Sequence, residues 1–203
     1  MKIFNDNYLE PLEEIAGVTQ LKETFDLEHV EHKNVDINDS KIALANYWIT
    51  FVHKDPKIAY DVFFNFQDRT LFINDLVWAT PNNTVFLSIL CGIINNAGEH
   101  FDYIRITTVG HFGVYPTLRL YYLCPLYGFL PNQELIEELL REAKLKGLVF
   151  ENAEELFHTD RGLEYWLRFG KPSVMIFDMS SNSDSIRFLK LELAVLGLQN
   201  WLN

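Results

Sequence analysis

Asn74 and Asp75 stand side by side in the run Thr70-Leu-Phe-Ile-Asn-Asp-Leu-Val-Trp78, an amide and a carboxylate of the kind that orient a reacting group and take its proton. Strand side chains alternate, so one of the two points into the core and the other outward. An exposed or hydrogen-bonded strand carboxylate would produce the same pattern with no chemistry. Asp178, Ser180, Asn182 and Asp184 place oxygen-bearing side chains at alternate positions, like the start of a calcium loop. Such a loop turns on a glycine and closes with a bidentate glutamate, and here those places hold Ser183 and Leu189. The segment reads instead as a strand-end turn in which Ser183 or Asp184 caps the next helix, with Asp178 at a strand's carboxyl end, where ligand crevices form. The six histidines, His29, His32, His53, His100, His111 and His158, include no i,i+4 helical pair and no Cys-x-x-Cys partner, so no metal site is expected. Gly110-His-Phe-Gly113 follows a predicted strand, and paired glycines let a backbone approach a ligand closely; a simple loop is the plainer reading. No Gly-x-Ser-x-Gly elbow, P-loop, dinucleotide fingerprint or zincin motif occurs, which removes the commonest hydrolase, NTPase and dehydrogenase readings.

The elements that must position these residues are clearest between 41 and 78. Three β-rich runs, IALANYWITFV, KIAYDVFFNF and TLFINDLVWA, are separated by His53-Lys-Asp-Pro56 and Gln67-Asp-Arg69, both tight-turn chemistry. They predict an antiparallel three-strand meander. Thr80-Pro-Asn-Asn-Thr84 starts a helix, and Val85–Asn96 is apolar nearly all round and closed by Asn96 and Gly98, so that helix is buried against the sheet. Tyr103–Val109 reads as the next strand, reached through the helix by a parallel crossover. One or two short helices, broken at Gly17, are expected within 3–26, and a loop or weak edge strand over 27–40. The stretch after Pro116 has helical spacing until Pro125 and Gly128 cut it short. Asn132–Lys146 is an amphipathic helix stopped by Gly147, Asn152–Phe169 holds one or two helices, Val174–Phe177 is a short strand, and a last helix runs from Ser183-Asp184 to Gly197.

The 203 residues, 48% apolar and 14% aromatic, suffice for one well-filled core. A single domain 1–203 is expected, with 41–130 as its core and 131–203 as a helical extension carrying one short strand. The formal net charge of −11 opposes non-specific binding to nucleic acid or to an anionic membrane surface. Arg141, Lys144 and Lys146 are interleaved with Glu142 and preceded by acids, which makes a solvated face of mixed charge. Trp48, Trp78, Trp166 and Trp201 are scattered and form no local stacking platform. Cys91 and Cys124 sit in apolar runs and are expected as buried thiols of a reducing compartment. The N-terminus becomes acidic within ten residues and offers no signal-peptide core, so the cytoplasm is the expected location.

The order of meander, buried helix, strand and short helix ending in Leu126-Tyr-Gly-Phe129, over roughly residues 41–130, resembles the core of the GNAT acyl-CoA N-acyltransferases. The resemblance implies an α/β fold of the α+β type, with a mixed, mostly antiparallel sheet in which the fourth and fifth strands splay apart. It implies acyl-CoA or acetyl-CoA as cosubstrate, bound by Val77, Asn82, Asn83 and Thr84, and a small-molecule or protein amine as acceptor. Asp75 would deprotonate the amine, and Tyr122 or Tyr127 would protonate the leaving thiolate. Laid on Gly128-Phe129, the family's Asn-x-x-Ala-x-x-Leu-Tyr-x-x-x-Gly-Phe pattern puts Thr117, Leu120 and Cys124 at its Asn, Ala and Tyr. The turn Trp78–Val85 contains no glycine and no basic residue, where the family has a Gly-rich turn. That departure and the acidic charge motivate a second expectation, a non-catalytic protein of the inhibitor or immunity type that binds a basic protein partner.

Overall fold

Side chains that are β-branched or aromatic suit a pleated, half-buried surface, and the runs that carry them form the expected meander. The computed structural model describes residues 31–34, 47–52, 58–65, 68–78, 83–107, 123–171 and 173–202. Strand β1 (Glu31–Asn34) precedes β2 (Tyr47–Val52), β3 (Ile58–Asn65) and β4 (Thr70–Trp78), so the polar 27–40 stretch contains a short strand. All three pairings are antiparallel, with Lys33 opposite Trp48, Ile49 opposite Val62 and Phe63 opposite Phe72. The helices expected within 3–26 and just before Cys124 lie outside the described residues. The chain divides into two units, Met1–Ile104 with Leu193–Asn203, and Arg105–Glu192.

In the first unit the helix expected after the meander is α1 (Asn83–Ala97). Phe86, Leu87, Leu90, Cys91 and Ile93 are each no more than 2% exposed, as an all-round apolar helix requires. Burying each such side chain contributes about 1.5–3 kcal/mol. On β3 and β4, Val62, Phe64, Leu71 and Ile73 are buried as well. Strand β5 (Tyr103–Thr107) follows. The amides of Asp102 and Tyr103 both donate to the Arg69 carbonyl, at 2.8 and 3.3 Å. Strand β5 lies next to β4 in the sheet order, so the two strands start at one end and the crossover through α1 is parallel. A turn of 3-10 helix at Gln199–Trp201 rests on α1, where Asn95 Nδ2 donates to the Trp201 carbonyl at 2.9 Å.

The second unit is built from capped helices. Asn132 accepts from the Leu135 amide at 2.9 Å and starts α2 (Gln133–Leu145), and Gly147 follows its end at φ 76°. Asn152 caps α3 (Ala153–His158) through the Glu155 amide at 3.0 Å. Thr159 then breaks the helix with an extended backbone and caps α4 (Asp160–Phe169) through the Gly162 amide at 3.1 Å. Strand β6 (Val174–Asp178) and α5 (Asp184–Val195) complete it. Leu139, Phe157, Trp166, Met175, Phe177 and Phe188 form the core, with Phe157 edge-on to Trp166 at 5.3 Å. Helices and a partly antiparallel sheet make this an α+β protein. Among the described residues no helix is long and apolar enough to cross a membrane.

Candidate functional site

The residues nominated for chemistry fall on three pieces of backbone. Asp75 and Val77 lie on β4, Asn83 and Thr84 open α1, and Tyr127 belongs to a 3-10 turn, Pro125–Tyr127, in the second unit. Asn82 and Tyr122 lie outside the described residues, as does Gly110-His-Phe-Gly113.

Strand β4 is held firmly at its start. The Asn65 side chain accepts from the Asp68 amide at 3.0 Å and donates to its carboxylate at 2.9 Å. Arg69 takes the left-handed backbone at φ 49°, a conformation most non-glycine residues avoid. Its guanidinium forms a two-pronged pair with Asp102, Nε to Oδ2 at 2.9 Å and Nη2 to Oδ1 at 3.0 Å, and adds a bond to the Glu99 carbonyl at 3.3 Å. The hydrogen bond from Arg69 holds the Asp102 carboxyl below the usual carboxylate range. One residue thus fixes where β4 and β5 begin.

Further along, β4 leaves its register. Asn74 pairs with Asp61 and Val77 with Ala59, so Asp75 and Leu76 together oppose the single residue Tyr60. This is a β-bulge with its extra residue on β4, and bulges re-aim side chains and interrupt pairing beside active sites. Five residues after β4 ends, α1 begins with no acidic residue in its first turn. Its terminal amides therefore keep the partial positive charge that favours an anion. Thr84 is exposed at that end.

No family model, curated protein or solved structure matches this chain. Its function has to be read from its own residues.

Tyr127 is 1% exposed, and the turn that carries it docks as a packing element. The amides of Tyr127 and Phe129 both donate to the Cys124 carbonyl, at 3.1 and 3.0 Å, and Gly128 sits at φ 86°. A Cβ on Gly128 would lie 2.2 Å from the Ser185 carbonyl oxygen. The Phe129 and Phe177 rings pack tilted with centroids 5.3 Å apart, and Leu130 exchanges two backbone bonds with Ile176, at 2.9 and 2.8 Å. The Gly-Phe pair therefore has a packing cause within its own unit. Cys91 and Cys124 are both free and buried; burial pushes the Cys91 thiol up to about 12 and the Cys124 thiol higher still. Neither is a nucleophile at neutral pH, since the thiolate is the reactive form.

Asp178, Ser180 and Ser183 form the turn and cap predicted for this segment. Asp178 Oδ1 accepts from the Ser180 amide and hydroxyl at 2.9 and 2.7 Å. The Ser183 hydroxyl donates to the Asp178 carbonyl at 2.6 Å and accepts from the Ile186 amide at 3.1 Å. Among the described residues no group of three His, Cys, Asp or Glu is placed to hold a metal ion. A shallow depression of about 440 Å³ borders this cap, lined by Asn182, Ile186, Arg187 and Lys190 among others. Arg187 is neutralised there by Asp184 at 2.9 Å and by Glu154.

One group escaped the sequence reading. His158 Nε2 is buried with no hydrogen-bond partner, although His158 occurs in a histidine set with no motif. The signal that finds it, its packing against Phe188 thirty residues away, is tertiary.

Proposed function

We propose that the chain is an acyltransferase-like protein of the GNAT type, moving an acyl group from an acyl-CoA thioester to an amine. The observation that supports this is the bulge at Asp75-Leu76 near the end of β4, with α1 starting at Asn83 and β5 entering beside β4. An unpaired backbone amide at such a break is a preorganised donor for a thioester carbonyl, and it acts without reorganising during the reaction. Asp75 takes the proton of the incoming ammonium group so that the free amine attacks directly. Val77 lines the backbone edge along the acyl arm, and Asn82, Asn83 and Thr84 offer side chains and amides to the pyrophosphate. Tyr122 or Tyr127 is the acid proposed for the leaving thiolate. Holding both reactants in line replaces a covalent intermediate.

Calorimetric titration with acetyl-CoA and longer acyl-CoAs tests the reading. Binding at or below millimolar concentration, weakened in Thr84→Glu by a negative charge at the helix start, is expected. Absence of binding at millimolar concentration overturns it. The bare turn Trp78–Val85, with no glycine or base, favours a second reading, an acidic, non-catalytic binder of a basic protein. Stoichiometric capture of such a partner without measurable turnover is the result expected from it, and turnover with no partner overturns it.

A further inference from the structure

Helices α3 and α5 meet at an imidazole. His158, the last residue of α3, lays its ring against Phe188 on α5 with centroids 4.3 Å apart, and its Nε2 is buried without a hydrogen-bond partner. The same joint is bridged by Arg187, which pairs with Glu154 on α3 and Asp184 on α5 and sits 4.9 Å over the Phe188 ring. The 3-10 turn and α4, which carry Tyr127, Asp160 and Arg161, also pack on α3. The charges that act on the imidazole are Glu154, which favours its protonation, and Arg187, which opposes it. Because these two are paired with each other, their effects largely offset, and the burial of the ring decides the sign.

We propose that His158 is an acid-sensitive latch: the neutral ring holds α3 on α5, and its protonation separates the two helices at Phe188. A neutral imidazole can sit against a phenyl ring with one nitrogen unpaired at modest cost. An imidazolium there must bury a charged N–H donor that has no acceptor, and burying an unpaired charge costs far more than burying an unpaired neutral group. Burial accordingly holds the His158 pKa below its ordinary value. The unfolded chain, or the opened joint, takes up the proton first as pH falls through about 6.5. The closed joint is therefore fully stable above that pH and loses stability as pH drops toward the depressed folded value. No activity of the chain is needed for this behaviour, so it stands apart from the acyltransferase reading.

The test is a pH titration of the full chain labelled with ¹³C at histidine and phenylalanine, read by NMR alongside amide protection. The His158 midpoint is expected below about 6.5, and the Phe188 ring signals should move with the same midpoint. Protection in α3 should fall about tenfold for each unit of depression, with α2 unchanged. In His158→Gln the pH dependence of Phe188 and of α3 should vanish. A midpoint at or above the ordinary value overturns the proposal, as do Phe188 signals that ignore the titration. Should His158→Gln fail to fold, the wild-type Phe188 titration decides alone.

Discussion

Replacing Gly128 by alanine separates two costs that usually arrive together. At φ 86° and ψ 6° an L-residue adopts the left-handed region, which costs about 1–2 kcal/mol, partly offset by about 0.4–1 kcal/mol from the stiffer unfolded chain. The new methyl would also lie 2.2 Å from the Ser185 carbonyl oxygen, 2.8 Å from its carbon and 2.9 Å from the Phe177 ring. Ordinary contact begins at 3.4 Å, so the turn must retreat by more than an ångström from the start of α5. Overpacking of that kind costs about 1–3 kcal/mol, for a total of about 2–4 kcal/mol. Gly147 is the control, because it has φ 76° but nothing within 4 Å of its Cβ position; Gly147→Ala should cost only about 1 kcal/mol. Urea unfolding followed by tryptophan fluorescence reads both, and at about 1–3 kcal/mol per molar the midpoints should differ by roughly 1 M. Equal losses in the two variants would refute the claim that Leu-Tyr-Gly-Phe is maintained by contact with Ser185.

Gly162→Ala should destabilise by about 1–3 kcal/mol without any left-handed strain, since its Cβ would stand 2.3 and 2.4 Å from the carbonyl oxygens of Glu155 and Leu156; thermal unfolding checks it, and a neutral result means α3 and α4 are not as close as described. Asn152→Ala removes the bond from the Glu155 amide and should cost about 1 kcal/mol, with Asn152→Asp retaining most of the stability in the same urea assay. A thiol reagent at pH 8 should label neither Cys91 nor Cys124 in the native chain and both in urea, because burial keeps the Cys91 thiol near 12 and Cys124 above it.

Local signals reached the elements and stopped at their encounters. The meander is legible because its runs are rich in β-branched and aromatic residues and its turns carry Asp and Pro, and α2 because Asn132 and Gly147 mark both ends. The residues of Asn152–Phe169 are compatible with one helix or two, and the extended backbone of Thr159 decides for two. The bulge in β4 had no glycine to announce it; it appears only when Asn74 and Val77 are counted against Asp61 and Ala59. Arg69 and Asp102 are 33 residues apart, and no periodicity links them. Of the nominated site, the backbone of Asp75, Val77, Asn83 and Thr84 falls on the strand and helix expected, whereas Tyr127 is explained by packing that a sequence string does not display. His158 was invisible for the same reason, because what makes it unusual is a missing partner.

At the far end of β6 every polar group of one residue is spoken for. Asp178 receives Ser180 on its carboxylate and Ser183 on its carbonyl, and gives its amide to the Ser185 hydroxyl at 3.0 Å. Since those serines also shape the first turn of α5, the strand cannot fray without unwinding the helix. The two should open in one step, and their amides should exchange with solvent at a common rate.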